Sequence, residues 1–311
     1  MLNGVINVYK EKGYTSHDVV ARLRGILGQK KIGHTGTLDP DAEGVLPVCL
    51  GRGTKLCGML TDRDKTYEAA LLFGKVTDTQ DISGTVLSDR DTSALLEAEK
   101  LPGQPIKKCI ESYIGEYWQL PPMYSALKVN GRKLYELARE GVEAERKPRK
   151  VWIHDIKILK MDLPRVSMEV TCSKGTYIRT LCHDIGQDMG VGACMESLLR
   201  TRASGFLLQD SLKLAQIEEL KREGRIKEAI LPVDAMFPEL EELGVLDKYR
   251  PLAYNGNPLK EQYMQKHLKP ADGQWFRVYD GDRVFIGIYR YWAQKQEYRL
   301  EQIFLDQEEL R

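Results

Sequence analysis

The sequence predicts an α+β fold: a large mixed unit followed by a small β-rich one. Three observations predict it. Strand-like and helix-like segments interleave without the regular strand–helix alternation of a doubly wound parallel sheet. The character of the chain changes at the proline-bearing stretch Leu231-Pro232-Val233-Asp234-Ala235-Met236-Phe237-Pro238, which suits a hinge between units. Beyond it, residues 275–279 and 284–289 flank Asp280-Gly281-Asp282 as a β-hairpin would. A length of 311 residues holds one large domain and one small one, with boundaries expected at 1–235 and 240–311.

Taken in order, residues 5–10 read as a strand. Ser16 is placed to cap a helix that carries Val19, Val20, Leu23, Ile26 and Leu27 on one face, and Gly28 to end it. The next stretch, residues 33–44, is a glycine-punctuated loop with Asp39 at its centre. Pro40 fixes its own φ and keeps Asp39 out of the α region. Gly33, Gly36 and Gly44 permit turns that other residues resist. Residues 45–50 are an apolar run of buried-strand length, so the loop leans on the core. That is a sound mount for a reactive side chain, although Asp-Pro on its own is also a common turn dipeptide.

Residues 66–75 alternate as a strand and enter the turn-rich segment 77–84. Ile106, Ile110, Tyr113 and Ile114 have helical spacing, with Gln119-Leu120-Pro121-Pro122 expected to end that helix. A short helix over 133–140 stops at Gly141. Residues 151–159 and 166–172 read as strands, and Ile178, Leu181, Ile185 and Met189 mark a further helix.

Hydrophobic content of 42% and charged content of 29% are those of a soluble globular protein. No apolar run reaches the length of a membrane span, and no signal peptide is read at the start, so a cytoplasmic protein is expected. The six cysteines lie far apart, without a Cys-x-x-Cys pair or finger-spaced histidines, so no metal site is expected. Net charge is only +1, yet Lys128, Arg132, Lys133, Arg139, Arg146, Lys147, Arg149 and Lys150 crowd one segment. Lys30, Lys31, Arg52 and Lys55 flank the Asp39 loop. Such clusters suit a local RNA footprint; with Glu136, Glu140, Glu143 and Glu145 interspersed, they also suit a solvated face.

The run Gly33-His34-Thr35-Gly36-Thr37-Leu38-Asp39-Pro40-Asp41-Ala42-Glu43-Gly44-Val45-Leu46 resembles the GHxGxLDPxAxGxL motif of the TruB family of pseudouridine synthases. Further matches follow in order. Lys10-Glu11-Lys12-Gly13-Tyr14-Thr15-Ser16 resembles KPxGxTS, with Glu11 where the family has proline. Asp64-Lys65-Thr66-Tyr67 resembles its Asp-Lys-x-Tyr segment, and Gly74, Thr77, Thr79, Asp81 and Gly84 fall at its GxxTxTxDxxG spacing. Pro121-Pro122-Met123-Tyr124-Ser125-Ala126-Leu127-Lys128 resembles PPxxSAxK, and Cys172-Ser173-Lys174-Gly175-Thr176-Tyr177-Ile178-Arg179 resembles CSxGTYIR. Each piece is weak alone; in this order they carry the likeness across most of the first two hundred residues.

The resemblance implies a pseudouridine synthase catalytic domain with a central mixed or antiparallel sheet and a small C-terminal PUA-like domain. It implies protein-only isomerisation of the T-loop uridine at tRNA position 55, with no cofactor, no metal and no guide RNA, by a monomer. Asp39 would be the nucleophile or charge-stabilising carboxylate, attacking C1′ or C6 or stabilising a glycal. Arg179 would pair with Asp39 and hold it ionised, and Tyr67 would stack on the flipped base and take part in removing the C5 proton. Tyr177 and Leu198 would wall the uracil pocket, and His34 would fill the space the nucleotide vacates. Lys10 and Gly36 join the substrate-binding set, and the C-terminal domain would touch the acceptor side of tRNA. Three other readings use the same residues: a tRNA-binding and folding module with isomerisation secondary, a guide-dependent synthase, and a glycosidase pairing Asp39 with Asp41 or Glu43.

Overall fold

The computed structural model describes residues 1–93, 95, 97 and 104–305. The last six residues of the expected C-terminal unit, 306–311, lie outside the described residues. In chain order the strands are β1 (Gly4–Lys10), β2 (Ile32–His34), β3 (Glu43–Leu50), β4 (Lys65–Phe73), β5 (Lys75–Thr77), β6 (Val86–Asp89) and β7 (Gly115–Gln119). They continue as β8 (Lys128–Val129), β9 (Arg132–Lys133), β10 (Arg149–Asp162), β11 (Arg165–Cys172), β12 (Ala193–Ala203) and β13 (Phe206–Leu207). The C-terminal strands are β14 (Glu241–Gly244), β15 (Leu259–Lys260), β16 (Trp275–Tyr279), β17 (Phe285–Trp292) and β18 (Glu297–Ile303).

Among the described residues, nine strands form one sheet in the order β1-β3-β12-β4-β11-β10-β7, with β13 beside β12 and β2 beside β3. The β3–β12 pair is parallel and its neighbours are antiparallel, which makes the sheet mixed as expected. Helix Ile178–Asp188 packs on one face of its centre through Ile178, Leu181 and Ile185, against Tyr67, Leu71, Val166 and Leu198. Helices Ser16–Leu27 and Leu214–Arg222 cover the Ile6, Val8, Leu46 and Val48 side of β1 and β3. The opposite side of those two strands buries Val5, Val45 and Cys49 under Leu56, Leu60 and Phe206.

Local details follow from the chemistry of single residues. Thr15, not Ser16, caps the first helix: its hydroxyl accepts from the Asp18 N–H at 3.0 Å, and the Asp18 carboxylate answers to the Thr15 N–H at 2.8 Å. Ser16 is buried instead, bonded to both backbone groups of Leu38, and so ties the helix start to the Asp39 loop. Gly28, at φ +66, ends the helix as expected. The expected run of helix up to residue 119 is incorrect. Helix Pro105–Glu111 stops early, and Gly115 at φ +109 turns the chain into β7. Tyr117 and Gln119 are buried while Glu116 and Trp118 are exposed, a period of two that overrides the apolar helical spacing upstream.

The C-terminal strands form a separate five-stranded sheet, order β14-β16-β17-β18-β15, with its own core of Leu243, Phe276, Val278, Ile286, Tyr289 and Tyr298. The expected hairpin is β16–β17. The proline-bearing stretch before it is packed rather than free. Leu231 exchanges both backbone hydrogen bonds with Val5 at 2.9 Å, and Val233, Met236 and Phe237 are buried together with Val5, Ile288 and Phe304.

Candidate active site

The Asp39 loop joins β2 to β3 at the edge of the large sheet. Buried groups hold it from beneath. Lys10, fully buried, donates to the carbonyls of Pro40 at 3.0 Å, Ala42 at 2.5 Å and Glu11 at 3.3 Å. The resemblance placed Lys10 among substrate-binding residues; here its ammonium is turned onto backbone and holds the loop. Burial lowers Lys10 to about 8, against the pull of Asp39. Gly44 has φ +104, and a Cβ there would stand 2.3 Å from the Arg200 carbonyl, so the parallel β3–β12 seam requires glycine.

Arg179 begins helix Ile178–Asp188 and is buried. Its Nε lies 3.1 Å from Asp39 Oδ2 and its Nη2 3.4 Å from Oδ1, a two-point grip on the carboxylate. Nη2 also donates to the Tyr124 carbonyl at 2.9 Å, and Nη1 to the Thr79 carbonyl at 3.1 Å and to Asp81 Oδ2 at 3.4 Å. Each terminal nitrogen of the guanidinium thus donates to two acceptors while Nε faces the Asp39 carboxylate, so the fork has one orientation. The Asp39 side chain is partly exposed (39%), whereas Arg179 beneath it is buried. Burial raises its carboxyl above the ordinary aspartate range and Arg179 opposes the rise, with Asp81 and Asp41 adding to it and Lys10 countering.

Tyr67 and Ala69 on β4 face Arg200 and Leu198 on β12 across one row of the sheet. Tyr67 is buried beside Leu38 and Leu198 in the central core, and burial raises its phenol while Arg200 alongside lowers it. Tyr177 stands at the helix entrance next to Arg179. Its backbone is clamped both ways by Gln119, whose Oε1 accepts from Tyr177 N–H at 2.8 Å and whose Nε2 donates to the Tyr177 carbonyl at 2.9 Å. His34 lies at the start of the loop, edge-on to His17 at 5.5 Å, with its Nδ1 accepting from Gly36 N–H at 3.3 Å. Burial lowers His34, which keeps it neutral at neutral pH.

The fold thus pairs Asp39 with Arg179, sets Tyr177 at the start of the same helix, places Tyr67 and Leu198 on the adjacent central strands β4 and β12, and leaves His34 and Gly36 at the loop's entry. Four partners carry roles the sequence reading did not assign: Asp81, the Tyr124 carbonyl, Gln119 and Arg200. Asp81 was visible only as a spacing match. Gln119 is hidden by the misplaced helix end. Arg200 was legible in principle, since alternation from Leu198 sets it on the same face. Of the flanking cations, Arg52 donates to the Phe304 carbonyl at 3.2 Å and Lys55 to that of Ile303 at 2.8 Å. They bind the C-terminal sheet to the large one. Among the described residues no group of His, Cys, Asp and Glu has the arrangement of a metal site, and no helix is long and apolar enough to cross a membrane.

Known proteins resemble this chain in sequence and fold. Residues 24–178 match the family model described as TruB family pseudouridylate synthase (N terminal domain), and residues 179–238 match the tRNA pseudouridylate synthase B C-terminal domain. A tRNA pseudouridine synthase B of Lachnoclostridium phytofermentans is 49% identical over 98% of this chain and 100% of its own length. One of Clostridium tetani is 44% identical over 92% of this chain and 95% of its own. Among solved structures, a chain in the crystal structure of a Cbf5-Nop10-Gar1 complex superposes with a TM-score of 0.71 at 26% identity, covering 98% of this chain and 86% of that one. Fold and matches together define an enzyme of the pseudouridine synthase class, which isomerises uridine to pseudouridine in RNA. Within that class, the chain belongs to the TruB family of tRNA pseudouridine synthases.

Proposed function

We propose that the enzyme isomerises the T-loop uridine at tRNA position 55 with Asp39 as its essential carboxylate. The observation that supports this most is the two-point Arg179–Asp39 pair at 3.1 and 3.4 Å, presented at the open side of a loop held by buried cations. The reaction breaks the C1′–N1 bond, turns the base and joins C5 to C1′. It needs no redox change and no group donor, so a positioned carboxylate is the minimum equipment. Arg179 opposes the rise that burial causes in the Asp39 carboxyl and fixes its direction.

The base must leave its stack, at a cost of a few kcal/mol, and a stacked aromatic ring returns about 1–3 kcal/mol. Tyr67 is that ring in this reading, and its hydroxyl takes part in removal of the C5 proton. Tyr177 and Leu198 wall the uracil, and neutral His34 with Gly36 occupies the loop entry beside the vacated stack. The large domain, residues 1–235, acts on the T arm. The PUA-like domain, residues 240–311, touches the acceptor side by shape and phosphate contacts. The enzyme works in the cytoplasm as a monomer. Unmodified tRNA transcript incubated with purified protein, followed by carbodiimide-stop mapping, tests the assignment: a new stop at the T-loop uridine is expected, and a stop at another uridine contradicts it.

A further inference from the structure

Arg200 is a buried cation that this chemistry leaves unused. It is 1% exposed and lies on β12 where that strand pairs with Tyr67 of β4 on one side and Gly44 of β3 on the other. Its Nε donates to the Val45 carbonyl at 2.6 Å and its Nη2 to the Gly36 carbonyl at 3.2 Å. Those carbonyls stand at the two ends of the loop that carries Asp39. The same guanidinium lies beside the Tyr67 hydroxyl. Among the described residues its partners are carbonyls and a phenol, not a carboxylate. Burying a guanidinium on such partners is costly, and its planar fork meets two fixed carbonyls while standing opposite Tyr67, which a flexible ammonium cannot do as well.

We propose that Arg200 is a positioning residue that locks the Asp39 loop to Tyr67, so that carboxylate and ring address the same base. The proposal rests on the reading of Asp39 and Tyr67 given above. Lys10 secures the second half of the loop through Pro40 and Ala42; Arg200 holds Gly36 near its start and Val45 just past its end, and stands opposite Tyr67. A loop tied only at its second half keeps its fold but loses its aim, and small misplacements of reacting groups cost large factors in rate.

The test is Arg200→Lys, with Arg200→Met beside it. Three quantities are read: amide hydrogen exchange over residues 36–45 without RNA, the single-turnover isomerisation rate on tRNA transcript, and the Kd for that transcript at fixed salt. The expected result is exchange at least tenfold faster in the loop, with helix Ile178–Asp188 unchanged. The rate falls about ten- to a hundredfold while Kd stays within about threefold. Unchanged loop exchange in folded Arg200→Lys overturns the proposal. So does a loosened loop with full rate, or faster exchange spread over the whole protein, which marks a merely structural role. If the wild-type enzyme itself forms no product, the reading of Asp39 fails, and loop exchange still decides the anchor.

Discussion

Asp39 is an aspartate in a turn until Arg179 is placed on it. The pair converts a propensity into a held, partly exposed charge, with the guanidinium donating to Asp39, Asp81 and two carbonyls. Replacing Arg179 by lysine keeps the charge and abandons most of those bonds. The expected outcome is loss of about 2–4 kcal/mol in urea unfolding and of at least tenfold in rate, because two carboxylates are left poorly paired. The acid limb of kcat/KM reports Asp39. Burial raises its folded pKa, so activity is present at high pH and falls as pH drops through a value above the ordinary 3.8. A pH–rate profile with its acid limb below 3.8 contradicts this.

Lys10 shows the opposite sign. Its folded pKa near 8 lies below its ordinary 10.5, so the unfolded chain holds more protons between the two values. This group's contribution to stability therefore rises with pH from about 8 to 10.5. Lys65, lowered to about 8 by burial, acts the same way. Urea midpoints of Lys10→Met measured from pH 7 to 10 should show a flatter pH dependence than wild type. An unchanged slope contradicts the assignment. At this scale the motif matches marked Asp39, Arg179 and Tyr67 as the places to look. They gave no sign that Lys10 is turned inward, because a lysine's direction depends on the carbonyls the fold brings to it.

At the scale of elements, the loop is held by its supports. Gly44→Ala puts a methyl 2.3 Å from the Arg200 carbonyl at a φ of +104. A loss of about 2–4 kcal/mol is expected in urea unfolding, and wild-type stability in that variant contradicts the seam described here. β1, β10 and β11 were legible in the sequence, β11 by clean alternation and β1 as an apolar run buried on both faces. The helix before β7 was misread because Ile106, Ile110 and Ile114 share helical spacing, although the chain turns at Gly115 before that pattern is complete. The cap was misread by one residue because Thr15 and Ser16 are equally able acceptors, and the partnership of Ser16 with Leu38 is a long-range fact.

For the whole molecule, the C-terminal sheet keeps its own core but is docked on the large unit rather than a free appendage. Phe304 and Ile288 pack with Val5, Val45 and Phe237, and Arg52 and Lys55 bond to its last strand. Phe304→Ala should cost about 3–5 kcal/mol, read as a lowered urea midpoint of the full chain, and a change below about 1 kcal/mol would deny that the two sheets share a core. The sequence carried the order of the units and the hairpin. It did not carry their docking, since the contacts pair residues more than two hundred positions apart.

The account turns on one carboxylate and one uridine. The deciding measurement is carbodiimide-stop mapping of unmodified tRNA transcript after incubation with wild-type protein and with Asp39→Asn, with transcript binding measured alongside. One new stop at the T-loop uridine is predicted for the wild type. The variant should bind the transcript and lose product to below about a thousandth of the wild-type rate. Tight binding by the wild type with no stop on any tRNA, or a stop that survives Asp39→Asn, contradicts it.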